Sequence, residues 1–351
     1  MGDQANSPRR FWLFTFPRTG SHLFLRMLNL EEQPSLLTNQ QKDYHFTASL
    51  FWRSMTKNLG SKHLDEWTEE ERSGFHDAFQ SNFEDHQKTA NAALAQGKDV
   101  WLKDHVLWIT DPVAACKFYR GVNATSEEPW MLSFEGGSSR TALNETVLPD
   151  EYLKLWRPTF LIRHPALCFV SLWRVRKIRF EEGMENFSRE WEMTVIDLTY
   201  HWTRSLYDWY AAHIAAKDIA YGQHETCWPI ILDADDVITK PEILVKYCEL
   251  VGFDSSRLKF SWSDAPSDEP ENNTPEGHKI REDMRRKMTE TLRSSTGPRK
   301  DKVAGEIDIS EEAKKWRAEF GEESGARLEK YVLDAMPDYE YLKARRLKAS
   351  D

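Results

Sequence analysis

The stretch FWLFTFPRTGSHLFLRML, Phe11 to Leu28, constrains the fold more than any other. Its apolar run Phe11-Trp12-Leu13-Phe14 predicts a buried strand. Leu23, Phe24, Met27 and Leu28 fall on one helical face. Between them lies a short loop, Pro17-Arg18-Thr19-Gly20-Ser21-His22. A strand that passes through small residues into a helix start brings unpaired backbone N–H groups and the positive end of the helix dipole to one point. Gly20 lets the backbone approach a ligand closely. Thr19 and Ser21 add hydroxyls, and Arg18 adds a charge that can fork two oxygens. Phosphate or sulfate suits this set better than carboxylate. The loop is not a nucleotide-hydrolase P-loop, which needs GxxxxGK[ST]; here Ser21 follows Gly20 and Thr15 stands where that motif begins. A tight turn with no ligand is the competing reading.

The rest of the chain alternates strand-like and helix-like segments without internal repeats, which predicts a parallel sheet covered by helices. Thr68 and Glu71 form a capping box that opens a long helix carrying Phe75, Phe79 and Phe83, running to about Gln96. Further strands are expected at Val100-Trp101-Leu102, Thr159 to Ile162 and Pro229 to Leu232. Residues 111–158 read as an irregular insertion and 186–216 as mostly helical. Thr239 is the expected cap of a helix from Pro241 to Leu250 that Gly252 stops. Residues 263–280 read as an acidic, proline-rich surface segment. A basic run, Arg281 to Lys302, precedes a final helix expected to begin at Ser310. The resulting organisation is one α/β domain over 10–255 with a C-terminal helical part at 281–345.

Two further segments carry chemistry. In Trp101-Leu102-Lys103-Asp104-His105 the strand alternation puts Lys103 and His105 on one face. An imidazole can take a proton near neutral pH while the ammonium balances charge on a leaving group. In Phe160-Leu161-Ile162-Arg163-His164-Pro165, continuing to Ser171, an arginine at a strand end precedes a helix with an inward serine, a second anion-binding geometry. A strand-end salt bridge and a structural histidine are the plainer readings of these two segments.

In this order the three segments resemble the sulfotransferase family, whose donor is 3′-phosphoadenosine 5′-phosphosulfate (PAPS). Thr15 to His22 looks like that family's TYPKSGTT loop, with Arg18 in place of its Lys and His22 in place of a Thr. Lys103-Asp104-His105 is similar to its K-T/S-H segment. Arg163 with Ser171 resembles its 3′-phosphate pair. Ser205-Leu206-Tyr207-Asp208 is similar to the segment whose Tyr lies near adenine, and Ile231 to Gly252 to the YEDL…P…flG stretch. Gly297-Pro298-Arg299-Lys300 is the nearest counterpart of the closing RKGxxG loop. The resemblance implies a P-loop-like three-layer fold with a central parallel sheet flanked by helices. It implies His105 as base, with Lys103 and Arg18 stabilising the transferred group. The donor would be held by Arg18, Thr19, Gly20, Ser21, His22, Arg163, Ser171, Tyr207, Arg299 and Lys300, without metal.

The expected reaction is sulfuryl transfer from PAPS to a hydroxyl or amine of a small aromatic or apolar acceptor. Phe51, Trp52, Trp108, Phe118, Tyr119 and Trp130 are the aromatics expected either to wall that pocket or to pack the insertion. Two other chemistries stay open on the residues: acyl transfer from another adenosine-ended donor such as aminoacyl-tRNA, with the basic run at 281–302 on the phosphate backbone, and a small-molecule kinase using Asp235 and Asp236 for Mg²⁺. A net charge of −10 argues against bulk attraction to nucleic acid. Four scattered cysteines without a CxxC, no apolar leader and no membrane-length apolar run lead to the expectation of a cytoplasmic enzyme.

Overall fold

The computed structural model describes residues 8–37, 44–47, 59, 62–181, 197–221, 228–262, 290 and 292–350. Among the described residues four strands form one parallel sheet: β1 (Arg10–Thr15), β2 (Val100–His105), β3 (Arg157–Ile162) and β4 (Ile230–Asp233), in the order β2-β1-β3-β4. Because side chains alternate across a strand, each strand feeds two separate apolar clusters. Trp12, Phe14, Leu102, Phe160 and Ile231 enter one; Phe11, Leu13, Trp101, Leu161 and Leu232 enter the other. A strand apolar on both faces has to be covered twice, which makes the fold a three-layer α/β sandwich.

The first face is covered by α2 (Glu69–Leu94), α5 (Pro165–Glu181), α6 (His201–Tyr221) and the C-terminal hairpin of α9 (Ile309–Phe320) and α10 (Glu322–Ala344). The second is covered by α1 (Ser21–Leu28), through Phe24, Met27 and Leu28, and by α8 (Pro241–Val251). The capping box at α2 is present: Glu71 N–H donates to Thr68 Oγ1 at 3.2 Å and Thr68 N–H donates to Glu71 Oε2 at 3.0 Å. Phe75, Phe79 and Phe83 are all buried. That helix ends at Leu94, slightly before the expected Gln96, and Gly97 takes the left-handed φ of 68° just beyond it.

Three expectations need correction. The segment 111–158 is not irregular throughout. It contains α3 (Pro112–Arg120) and the single turn α4 (Asp150–Leu153). The start signal was present: Asp111 accepts N–H bonds from Val113 and Ala114, with Pro112 at the first helical position. Thr239 does not cap α8. It ends a short helix, α7 (Ala234–Thr239), where its hydroxyl donates to Asp235 O at 2.6 Å, and Lys240 is the capping position. The final helix is two, broken at Gly321 (φ 88°), and it starts at Ile309, one residue before the expected Ser310, with Asp308 as its cap. The acidic segment 263–280, residues 281–289 and 291 of the basic run, and Phe51 and Trp52 lie outside the described residues. Among the described residues no helix is long and apolar enough to cross a membrane.

Candidate active site

The register of the parallel sheet assembles the centre of the site. Thr15 ends β1 directly opposite His105 at the end of β2, and Leu13 lies opposite Lys103. Residues in register across a ladder point to the same side. Thr15, Lys103 and His105 therefore all face the side where α1 packs. All three are buried, with Lys103 only 2% and His105 5% exposed. Thr15 Oγ1 lies 2.6 Å from His105 Nδ1 and 3.4 Å from the Asp104 carbonyl oxygen. The hydroxyl has one hydrogen. Donated to the carbonyl, it leaves a lone pair to accept Nδ1–H, and the open nitrogen of the imidazole is then Nε2. Burial, followed by the nearby Lys103 and His22, pushes the His105 pKa well below the usual histidine value. The ring is neutral at pH 7 and able to accept a proton.

The loop closes over this pair. Arg18 has a left-handed φ of 68° and Gly20 one of 86°, and Gly20 is the cap of α1 without a side-chain bond to the first turn. The Thr19 hydroxyl donates to Phe16 O at 2.8 Å and staples the loop. α1 begins at Ser21, so Ser21 and His22 are among the residues whose backbone N–H groups have no partner within the helix. Arg18 reaches back to α5, where its Nε donates to Ser171 Oγ at 2.9 Å. Arg163, one residue past β3, donates from Nη1 to Arg18 O at 3.1 Å and from Nη2 to Lys302 O at 2.6 Å. Its backbone is fixed by Tyr200, whose hydroxyl donates to Arg163 O at 2.6 Å and lies 3.0 Å from Arg163 N. Burial lowers the Arg18 pKa, and the neighbouring Arg163 guanidinium lowers it further. Two guanidiniums held this close repel each other unless an anion sits between them. Arg163 Nε is buried with no hydrogen-bond partner, a donor that such an anion would satisfy.

The remaining expected residues scatter. Tyr207 is buried, with its ring against Phe160 and Tyr341. Arg299 is ion-paired with Asp301 at the surface. Lys300 begins the turn Lys300–Lys302 whose carbonyl meets Arg163, so this segment reaches the site through backbone. Of the aromatics, Trp108 lies 4.4 Å from His105, centroid to centroid. Trp130 packs on Trp67 and Phe75, and Phe118 stacks on His201.

Three participants were not singled out from sequence. Thr15 carried a signal, since it ends a strand in front of the loop. Tyr200 and Tyr44 carried none. Tyr44 lies with its ring centroid 4.1 Å from Lys103 Nζ and its hydroxyl 3.2 Å from Ser21 Oγ. On the opposite face of β2, Asp104 accepts N–H bonds from His45 (2.8 Å), Phe46 (3.1 Å) and Trp12 Nε1 (3.2 Å), and burial raises its pKa to about 7. His45, His86 and Asp104 form a buried group of three ligating side chains. Both imidazoles stand 4.0 Å from Asp104 Oδ2. Tetrahedral ligands on a first-row ion at ordinary bond lengths lie about 3.4 Å apart, so this spacing is too wide for one without contraction.

No family model matches the chain. The chain is 36% identical to sulfotransferase ppzF of Metarhizium rileyi over 349 residues, 99% of each chain. It is 37% identical to sulfotransferase ppzF of Metarhizium majus over 351 residues, 99% of this chain and 100% of that one. Among solved structures it is similar to the sulfotransferase domain from the curacin biosynthetic pathway, with a TM-score of 0.31 and 15% identity over 70% of this chain and 75% of that one. A second is the sulfotransferase domain of the Synechococcus PCC 7002 olefin synthase, with a TM-score of 0.36 and 13% identity over 94% and 96%.

Proposed function

The chain belongs to the sulfotransferase family, and on that premise we propose that it moves a sulfuryl group from PAPS to a hydroxyl or amine of a small aromatic or apolar acceptor. The observation that carries the donor assignment is the Arg18–Ser171–Arg163 cluster, which joins the anion loop to the end of β3 and the first turns of α5 and leaves Arg163 Nε open. A donor with phosphates at both the 3′ and 5′ positions suits two anion sites on one ridge; ADP offers only one of them. PAPS supplies a sulfuryl group on a good phosphate leaving group. The chain's residues do the rest. Backbone N–H groups from Thr19 to His22 hold the 5′ end, and Arg163 with Ser171 holds the 3′-phosphate. His105 Nε2 takes the proton of the acceptor, and Arg18 and Lys103 offset the negative charge that develops on oxygen.

Trp108 beside His105 supports a flat or apolar acceptor. Family membership supports sulfuryl transfer over the acyl-transfer and kinase readings. Calorimetric titration with adenosine 3′,5′-bisphosphate, with ADP as control, tests the donor site. Preference for the bisphosphate, lost in Arg163→Ala, is the expected result. Equal affinity for the two nucleotides, or none for either, overturns it. His105→Ala should lower turnover by about 10²–10⁴-fold.

A further inference from the structure

We propose that Tyr44 determines whether the sulfuryl group goes to an acceptor or to water, an inference that rests on the PAPS reaction set out above. One side chain touches the base, the ammonium and the first residue of the loop helix. The Tyr44 ring lies over Lys103 Nζ and 4.5 Å from the His105 ring, centroid to centroid. It lies 4.8 Å from Trp108, which itself touches His105. Its hydroxyl meets Ser21, the first residue of α1. With Nδ1 engaged by Thr15, Nε2 is the nitrogen left to receive a proton, and two aromatic rings close on the imidazole that carries it.

The cover is fastened, not casually placed. Tyr44 has φ 55°, a left-handed backbone that a tyrosine adopts only when its neighbours hold it. Those neighbours are His45 and Phe46, whose N–H groups both go to Asp104 Oδ1. Phe46 also stacks on Trp12, 6.2 Å away. Three consecutive residues of β2 thus divide the work. Lys103 and His105 face the chemistry, and Asp104, between them and facing the other way, anchors the segment that covers them.

A base beside a bound sulfuryl donor serves water as well as it serves an acceptor. In that side reaction the water oxygen bonds to sulfur and the bond from sulfur to the bridging phosphate oxygen breaks. The proton passes to His105 Nε2, and sulfate and adenosine 3′,5′-bisphosphate leave. A flat aryl acceptor can replace the Tyr44 face with its own and keep water out, whereas water gains nothing by displacing a ring that solvates a buried ammonium. Tyr44 therefore favours aryl acceptors over solvent.

The test needs no knowledge of the natural acceptor. The full chain is incubated with PAPS alone and sulfate release is followed for wild type, Tyr44→Ala and Tyr44→Phe, with adenosine 3′,5′-bisphosphate titrated into each. Tyr44→Ala should hydrolyse PAPS faster by about 2- to 30-fold, the factor that corresponds to losing one cation–π contact. Tyr44→Phe keeps the ring and should show only a small part of that rise. If Tyr44→Ala does not fold, Tyr44→Leu, which keeps bulk but no ring face, should rise in the same direction. Unchanged hydrolysis in a variant that binds the bisphosphate normally overturns the role of Tyr44 and leaves the donor site standing. An equal rise in Tyr44→Phe assigns the effect to the Ser21 bond and also overturns it. No nucleotide binding by wild type removes the donor site, and this proposal falls with it.

Discussion

Replacing Thr15 by valine removes one oxygen and keeps the shape of a fully buried side chain. That oxygen stands 2.6 Å from His105 Nδ1 and 3.4 Å from Asp104 O, so it relays a hydrogen-bond chain from imidazole to backbone. The chain favours the tautomer with hydrogen on Nδ1 and a free Nε2. In Thr15→Val the Nδ1–H faces a methyl group. A buried donor left unpaired costs about 1–3 kcal/mol. The ring avoids that cost by moving its hydrogen to Nε2, where it can no longer act as base. At about 1.4 kcal/mol per decade, the active tautomer is depleted about 5- to 150-fold, and kcat should fall by that factor. Donor affinity should not change, because Thr15 lies beneath the loop rather than at the phosphate positions. The assay is release of adenosine 3′,5′-bisphosphate from saturating PAPS with naphthol as test acceptor, beside calorimetric titration of the bisphosphate. Thr15→Ser, which restores the oxygen, should recover most of the rate. A valine variant with wild-type turnover, or a serine variant as slow as valine, refutes the relay.

Two further outcomes follow from buried polar groups away from the loop. Asp104→Ala orphans three buried donors, Trp12 Nε1 and the N–H groups of His45 and Phe46, and should lower stability by about 3 kcal/mol or more, read from the denaturant midpoint; an unchanged midpoint contradicts this. His164 is lowered to about 4, first by burial and then by Lys343, with Asp235 partly opposing. Between its ordinary value of about 6.5 and that value the unfolded chain takes up a proton that the folded chain refuses, so stability should fall as pH drops through this window. Asp104, raised to about 7, slopes the other way in the same window, so the measure is the difference between wild type and His164→Asn, which should flatten the fall.

What could be read from sequence was local in the chain. The strand–loop–helix at Phe11–Leu28 names its own conformation, because an apolar run, a glycine and a periodic helix leave few alternatives for residues so close together. Lys103 and His105 share a face by strand alternation alone. The apolar strands are legible for the same reason, and their two-sided burial follows from near-continuous hydrophobicity. The errors were also local. At Asp111-Pro112 a helix start signal stands in front of a glycine-containing stretch that reads as irregular, and Asp308 caps the final helix, which starts one residue before the expected Ser310.

What could not be read comes from elsewhere in the chain to meet these residues. Tyr44 reaches the base through an anchor on Asp104, far away in sequence, and nothing in its own neighbourhood marks it. Tyr200 holds the backbone of Arg163 from the start of a helix whose apolar face predicts only packing. Tyr207 shows the converse. Its segment matched a motif, yet Phe160 and Tyr341 take its ring into the core. A motif fixes which atoms a residue offers, and packing decides where they point. In β2 that division falls within three residues: alternation predicts that Lys103 and His105 point together, and only the folded chain shows that Asp104, on the opposite face, fastens the segment that covers them both.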